Sequence, residues 1–157
     1  MRKAIIDSLE KDKRATVGGF VDDYFDRLGQ SYYCLVPRGA SSWTNHLYES
    51  FFAGCVPVIL SDDFELPFQS FINWESMSLK VNESMIVDGK GVELVDSLEK
   101  NVRTKSTEIY AQKTMMAEAR CWFDYHDIQG AAECSPYLGL LKELEARKSK
   151  TLGKDEL

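Results

Sequence analysis

Two short apolar runs on either side of an amphipathic pattern constrain the fold more than any other feature of this chain. The first run covers residues 32–36 and stops at Pro37, and the second covers 56–60. Uninterrupted apolar runs of this length are typical of strands buried on both faces of a parallel sheet. The residues between them predict a helix that begins at the N-cap Thr44, ends before Gly54 and buries a stripe of Leu47, Tyr48, Phe51 and Phe52. Strand, helix and strand within about thirty residues predict one right-handed βαβ unit.

The rest of the chain supplies helices and one further strand. Helical spacing of apolar residues predicts helices at 4–11, 20–29, 92–102, 109–123 and from 135 or 136 to 148. The last of these carries Tyr137, Leu138, Leu141 and Leu144 on one face, and residues 77–81 are predicted to form a third short strand. The fold class is therefore α/β, a Rossmann-like parallel sheet of three or four strands with flanking helices on both faces.

Composition bounds the organisation of the chain and its partners. A length of 157 residues and a hydrophobic content of 44% suit one domain, which we assign to residues 1–149, followed by a frayed tail at 150–157. The net charge of −6, without a dense basic run, argues against a nucleic-acid partner. No apolar stretch approaches the roughly 20 residues of a membrane span, and residues 1–9 lack the apolar region of a signal peptide.

Two short motifs bear on localisation. The last four residues, Lys154 to Leu157, read K-D-E-L, which is a retrieval address of the endoplasmic reticulum. Asn82-Glu83-Ser84 is an acceptor sequence for N-glycosylation. Both predict the lumen of the endoplasmic reticulum or Golgi. Because retrieval requires entry, two alternatives stay open: the N-terminus of the protein lies upstream of Met1, or the ending is a coincidence.

The four cysteines include no C-x-x-C pair, which argues against a zinc site or a thioredoxin-like site. Cys34 and Cys55 lie in or beside the apolar runs, and we expect them to act as buried small hydrophobic side chains. Cys121 and Cys134 could close a loop in an oxidising compartment, and the sequence leaves their pairing open.

Polar residues follow both apolar runs at the point where each strand is predicted to end. Arg38 and Gly39 follow the first strand, and the run 61–63, Ser-Asp-Asp, follows the second. Ligands of open α/β sheets bind outside the carboxyl ends of the strands. The helix start near Thr44 would add free backbone amides and a positive dipole end. Together these features predict an anion-binding crevice.

Three residues of the predicted helix share a face opposite its apolar stripe. They are Asn45, His46 and Glu49, spaced i, i+1 and i+4. Structural alternatives remain open for the same region. Arg38 could pair with one of the neighbouring aspartates Asp62 and Asp63, Glu49 could be a solvated helix residue, and His46 could make a local hydrogen bond.

Several short sequence motifs at fixed spacing extend this interpretation over residues 31–81. The chain reads Y-C-L-V-P-R-G at 33–39, then a helix bearing Leu47 and Glu49, then A-G-C-V-P-V-I-L-S-D-D-F-E-L-P-F-Q-S-F-I-N-W at 53–74. This set resembles the exostosin family, glycosyltransferase family 47. That family has a C-L-x-P-R-G strand, an S-x-R-[FL]-x-E helix, an [AG]-C-[VI]-P-V strand and an L-P-F-x-x-x-I-[ND]-[WY] segment.

The resemblance implies a fold, an activity and roles for individual residues. It implies the C-terminal, donor-binding half of an inverting GT-B transferase that moves a sugar from a UDP-sugar to a glycan or glycoprotein acceptor. Arg38 would face the diphosphate, Glu49 would accept hydrogen bonds from ribose hydroxyls, and amides near residues 42–45 would add to diphosphate binding. No metal or other cofactor is implied. The donor-binding residues implied are Arg38, Gly39, Ser42, Thr44, Asn45, His46 and Glu49.

The chain departs from the family pattern in two ways. Where the family has arginine, the chain has His46 in the run Thr-Asn-His, and histidine lacks the two parallel donors of a guanidinium. The length also leaves room for the donor half alone, so we expect the isolated chain to bind without turnover. The alternative is a non-catalytic module that binds a nucleotide or a partner transferase subunit. A dinucleotide-dependent oxidoreductase ranks third, because no G-x-G-x-x-G follows a predicted strand.

Overall fold

The computed structural model describes residues 1–19, 21–126 and 133–152. Three strands, β1 (Tyr33–Pro37), β2 (Val56–Leu60) and β3 (Leu79–Lys80), form a parallel sheet in the order β1-β2-β3. Leu35 lies opposite Val58, and Ile59 lies opposite Lys80. The helices are α1 (Arg2–Leu9), α2 (Tyr24–Gln30), α3 (His46–Phe52), α4 (Ser84–Val87), α5 (Gly91–Thr104), α6 (Ser106–Ala119) and α7 (Pro136–Leu152).

The structure confirms the α/β class, the parallel sheet and both predicted strands of the βαβ unit. All five residues of β2 are buried, as the uninterrupted apolar run predicts for a central strand. Gly54 ends the intervening helix with a φ of 74°, a left-handed conformation that favours glycine. The βαβ unit therefore forms where the apolar pattern of the strands, their burial and the glycine that ends the helix all favour the same structure.

Helices cover both faces of the sheet, and the two sides have different cores. On one side α3 and α6 pack an aromatic-rich cluster that includes Leu47, Phe51, Ile59, Trp74, Met116 and Phe123. On the other side α1, α4 and α5 pack an aliphatic cluster that includes Leu9, Val58, Leu60, Ile86 and Leu94. Because successive strand residues point to opposite faces, β2 supplies Ile59 to the first cluster and Val58 and Leu60 to the second.

Several predicted boundaries differ from the structure. The third strand is only Leu79–Lys80, because Met77 follows the 3-10 turn Trp74–Ser76 and Ser78 donates its hydroxyl to the Trp74 carbonyl at 2.7 Å. The short helix α4 was not predicted. The helix predicted at 20–29 begins at Tyr24 and continues through Gly29 to Gln30. The helix predicted at 109–123 begins earlier, at Ser106, and ends at Ala119 before the 3-10 turn Arg120–Trp122.

The last helix packs differently from its apolar pattern. Tyr137, Leu141 and Leu144, predicted to share an apolar face, are about 60% exposed, at 60%, 59% and 62%. The side that contacts the rest of the domain holds buried Pro136 and Gly139, where an added Cβ would lie 2.9 Å from the Phe68 ring. The helix also extends beyond the predicted end at 148 to Leu152. The K-D-E-L ending lies outside the described residues.

Both pairs of cysteines form disulfides. Cys34 and Cys55 are buried, as expected, but they are bonded to each other with a Cα–Cα distance of 5.7 Å. The predicted burial is confirmed, and the bond arises because the parallel register of β1 and β2, which pairs Cys34 with Pro57, brings residue 55 beside residue 34. Cys121 and Cys134 are also joined, which resolves the pairing left open by the sequence.

Among the helices described, none combines the length and apolar character required to cross a bilayer.

Candidate functional site

A polar pocket lies at the carboxyl ends of the strands, and we call it the strand-end pocket. It has a volume of about 250 Å³. Its neutral lining comes from three serines, Ser41, Ser42 and Ser61. Its charged lining comes from Arg38 after β1, Asp62 and Asp63 after β2, and Glu83 after β3. The pocket therefore occupies the edge of the sheet at which open α/β folds bind ligands.

Glu83 connects the ends of the three strands. Its Oε2 accepts a hydrogen bond from Arg38 Nε at 2.8 Å, and its Oε1 accepts one from the backbone N–H of Asp62 at 3.1 Å. The Glu83 N–H in turn donates to Asp62 Oδ1 at 3.1 Å. The partner of Arg38 is thus Glu83, and the alternative that Arg38 pairs with Asp62 or Asp63 is wrong. Burial explains why Glu83 is the partner of Arg38. The Glu83 side chain is 18% exposed and is bonded to residues that follow both β1 and β2.

Arg38 engages this network through one nitrogen. Its side chain is 47% exposed, and among the described residues its two terminal nitrogens have no hydrogen-bond or ion-pair partner. A guanidinium fixed by Nε presents the remaining donors in a fixed plane, which suits a bidentate contact with phosphate or carboxylate.

The loop after β1 is tied to the end of β2. Ser61 is buried and donates its hydroxyl to the Ser42 carbonyl at 2.8 Å. Gly39 lies where the loop closes tightly, since an added Cβ would lie 3.3 Å from the carbonyl oxygen of Trp43. Ser42 lines the strand-end pocket with Arg38, and Gly39 allows the tight path of the loop between them.

The start of α3 differs from the predicted one. The helix begins at His46 with Asn45 in the N-cap position, and the Asn45 side chain makes no capping hydrogen bond. Thr44 lies one residue further out, because its carbonyl accepts the Leu47 N–H in a turn before the helix. The buried Thr44 hydroxyl oxygen accepts long hydrogen bonds of 3.4 Å from Arg2 Nη2 and from the His46 N–H. With seven residues, α3 completes about two turns.

His46 and Glu49 meet on α3, as the spacing predicted, and Tyr24 of α2 joins them. The Tyr24 hydroxyl donates to Glu49 Oε2 at 2.6 Å, and His46 Nδ1 lies 2.7 Å from the Tyr24 oxygen and 3.2 Å from Glu49 Oε2. Because Tyr24 gives its one hydrogen to Glu49, His46 Nδ1 must carry the hydrogen of its own bonds. The local-bond alternative for His46 therefore describes what the structure shows, and we call these three residues the Tyr24 cluster.

Opposing influences act on the acidity of the Tyr24 cluster. Partial burial works to raise the pKa of Glu49, but the hydrogen bonds from Tyr24 and His46 outweigh it and lower the pKa below its usual value. Burial, followed by the bond to the Glu49 carboxylate, raises the pKa of Tyr24 well above its usual range. Glu49 is thus held as a carboxylate by its neighbours.

Arg38 and Glu49 line different depressions of the surface. Glu49 borders a mainly apolar depression of about 460 Å³ between α2 and α3, whose other lining residues are Phe25, Gly29, Tyr48, Phe52 and Ala53. The seven residues that the resemblance implied as one donor site are therefore divided. Arg38 and Ser42 line the strand-end pocket, and Gly39 lies between them in the chain without lining it. Glu49 and His46 belong to the Tyr24 cluster, and Thr44 and Asn45 lie at the helix start beside them.

Two residues of these sites were missed at the level of sequence. Glu83 follows a two-residue strand. The one motif that includes it is an N-glycosylation acceptor sequence, which does not indicate its contacts. Tyr24 lies within the helix predicted at 20–29, and nothing in the sequence indicates a partner for its hydroxyl. The three contacts of these residues join positions 21 to 45 apart, so no local pattern could indicate them.

Within the part of the chain that the structure describes, no group of histidine, cysteine and carboxylate side chains could hold a metal ion.

The fold and the pocket define an α/β domain with a polar pocket at the carboxyl ends of parallel strands. Comparison with protein families makes this class specific, because the model of the exostosin GT47 domain matches residues 1–98. The chain belongs to this family.

Curated relatives show similarity over a shorter stretch. A probable glucuronosyltransferase of Oryza sativa subsp. japonica is 43% identical over 61 residues, which are 39% of this chain and 14% of the relative. From Arabidopsis thaliana, a probable glucuronoxylan glucuronosyltransferase is 43% identical over 60 residues, 38% of this chain and 13% of the relative. A probable beta-1,4-xylosyltransferase of the same plant is 38% identical over 60 residues, 38% of this chain and 14% of the relative. The chain thus spans a small part of the length of these relatives. No solved structure matches it significantly.

Proposed function

We propose that this chain is the donor-binding portion of an inverting glycosyltransferase of GT-B architecture, and that it binds a UDP-sugar in the strand-end pocket. The observation that carries the proposal is Arg38, which is fixed by Glu83 through Nε and keeps two terminal nitrogens directed to no other described residue. Family membership supports the nucleotide-sugar class, and the position at the strand ends supports the location of the pocket.

In the reaction, such a pocket would stabilise the leaving group. UDP departs with growing negative charge, and donors already oriented toward it contribute several kcal/mol, or about 10²–10³ in rate per donor, in related oxyanion sites. Arg38 supplies a permanent charge for this purpose. The backbone amides near 42–45 are further candidate donors, and binding is proposed to need no metal ion.

Glu49 is proposed to accept hydrogen bonds from the ribose hydroxyls. Its Oε2 is committed to Tyr24 and His46, and its Oε1 has no partner among the described residues. Because Glu49 and Arg38 line different depressions, one nucleotide would have to extend from one depression to the other. The sugar would be transferred to a glycan or glycoprotein acceptor held by a second half of the enzyme, which would also supply the catalytic base.

Both disulfides support a proposed localisation in the lumen of the endoplasmic reticulum or Golgi. Such bonds persist in oxidising compartments and are rare in the cytosol.

Titration of the folded chain with UDP by calorimetry tests the proposal. We expect saturable binding at or below millimolar concentration, unchanged by a metal chelator, and much weaker binding of uridine, which lacks the diphosphate. A protein that is folded by circular dichroism yet shows no saturable binding of UDP would rule the proposal out.

One observation favours a second candidate, a non-catalytic module that binds a nucleotide or a partner transferase subunit. His46 stands where the family has arginine, and it is bonded to Tyr24 and Glu49. Detection of sugar transfer by the isolated chain, with radiolabelled UDP-sugars and oligosaccharide acceptors, would eliminate this candidate.

A further inference from the structure

We infer that the strand-end pocket selects nucleotide sugars whose sugar is uncharged, such as a pentose, over those that carry a uronic acid. The inference rests on the proposed function of this pocket. The relatives do not make the choice, since some are named for glucuronosyl transfer and another for xylosyl transfer. Glucuronate and xylose, as UDP-sugars, differ by one carboxylate at C5 of the ring, so the charge of the pocket decides between them.

The charge balance of the pocket is acidic. Asp62, Asp63 and Glu83 line it together with a single cation, Arg38. The next cation is Lys80, whose Nζ donates to the backbone carbonyl of Asp62 at 2.9 Å. Three carboxylates thus face one lining cation and one neighbouring cation.

The lining offers no second cation for a carboxylate on the sugar. Arg38 gives Nε to Glu83, and its terminal nitrogens are assigned to the diphosphate. Lys80 gives one of its donors to the Asp62 carbonyl and is not among the lining residues of the pocket. A uronate in the pocket would therefore add a further negative charge beside carboxylates and gain no charged partner in the lining.

The same carboxylates suit the hydroxyls of a neutral sugar. Asp63 is exposed, lines the pocket and makes no hydrogen bond or ion pair with any described residue. A carboxylate accepts hydrogen bonds at both oxygens, and sugar hydroxyls are donors. Asp63 is therefore a specificity-determining residue in this inference, favouring hydroxyl groups and opposing a carboxylate.

Calorimetric titration with UDP-xylose and UDP-glucuronate, compared in one low-salt buffer, tests the inference. We expect UDP-xylose to bind about tenfold more tightly, the size expected for a few partly screened like-charge contacts. Higher salt should reduce the ratio of the two dissociation constants, because exposed charges are screened. Equal or tighter binding of UDP-glucuronate by a protein that binds UDP would overturn the inference and leave the proposed function standing.

Variants connect the preference to the pocket. Asp63→Asn should reduce the ratio about threefold by removing one like charge while keeping a polar side chain. Glu118→Gln makes the same change of net charge at an exposed position of α6 that lines neither depression, and it should leave the ratio unchanged. An equal response of the two variants would show that net charge alone sets the preference and would overturn the role of the pocket. Failure of UDP itself to bind would overturn the proposed function, and this inference with it.

Discussion

The strand-end pocket and the Tyr24 cluster differ in how much bonding capacity their charged groups retain. In the pocket, the Arg38 side chain uses one nitrogen, and the Asp63 side chain makes no hydrogen bond or ion pair with the described residues. In the cluster, Tyr24, His46 and Glu49 bond to one another at 2.6 to 3.2 Å and shift the pKa of Tyr24 and Glu49 in opposite directions. Glu49 therefore keeps only Oε1 for the proposed ribose contact, whereas Arg38 and Asp63 keep most of their donors and acceptors for a ligand.

The largest expected effect is a loss of stability, and it tests whether the strand-end pocket and the Tyr24 cluster depend on the same folded sheet. The double substitution of Cys34→Ala with Cys55→Ala removes the bond between the start of β1 and the residue before β2. We expect the free energy of unfolding to fall by about 2–4 kcal/mol, because the unfolded chain gains freedom. Chemical denaturation followed by far-UV circular dichroism measures the loss.

The second disulfide is the control for this double variant. Cys121→Ala with Cys134→Ala opens a shorter loop, with a separation of 13 residues against 21, and should cost less. A larger loss for the control would show that the sheet does not depend on the bond between β1 and β2.

Arg38→Ala separates binding from stability in the strand-end pocket. The affinity for UDP should fall by about 1.5–3 kcal/mol, the value of a hydrogen bond to a charged group. Stability should change little, because the side chain is 47% exposed. Calorimetric titration and thermal unfolding measure the two quantities.

Val58→Ala is the matched scaffold variant. Val58 is fully buried in the centre of β2, so the substitution should cost about 1–3 kcal/mol of stability and leave UDP affinity unchanged in the folded fraction. If Arg38→Ala unfolds the domain while its affinity persists, Arg38 is a structural residue.

Tyr24→Phe tests whether Tyr24 contributes to stability, separately from the proposed ribose contact of Glu49. It removes the donor to Glu49 Oε2 and should lower the free energy of unfolding by about 1 kcal/mol, with an affinity change smaller than this. Thermal unfolding and UDP titration are compared on the same sample. A loss of affinity that exceeds the loss of stability would show that Tyr24 itself contributes to ligand binding.

The smallest effect is the pH dependence of the same cluster. The folded-state pKa of Glu49 is lowered, so its contribution is fully present above the ordinary value of 4.5 and is lost as the pH falls through the folded-state value. Because the side chain is 37% exposed, we expect under about 1 kcal/mol. The difference in unfolding free energy between the wild-type protein and Glu49→Gln should shrink on acidification, and a difference that grows would contradict this sign.

The elements that could be predicted are those encoded by neighbouring residues. The apolar run of β2, the stripe of α3 and the stop at Gly54 each report on burial or backbone conformation within a few positions. The last helix shows the limit of such patterns, because Leu141 and Leu144 follow helical spacing and yet face away from the domain. Periodicity indicates that a helix has an apolar side, and packing decides which side contacts the core.

The sequence by itself determined the class of the fold, the edge of the sheet that carries the pocket, the place of Arg38 in that pocket and the motifs shared with the family. Tertiary structure alone decided that Cys34 bonds to Cys55, that Glu83 holds Arg38, that Tyr24 holds His46 and Glu49, and that Arg38 and Glu49 line separate depressions. The physical reason is distance along the chain. Spacing within one element is set by backbone geometry, whereas contacts between elements depend on register and packing that no single segment specifies.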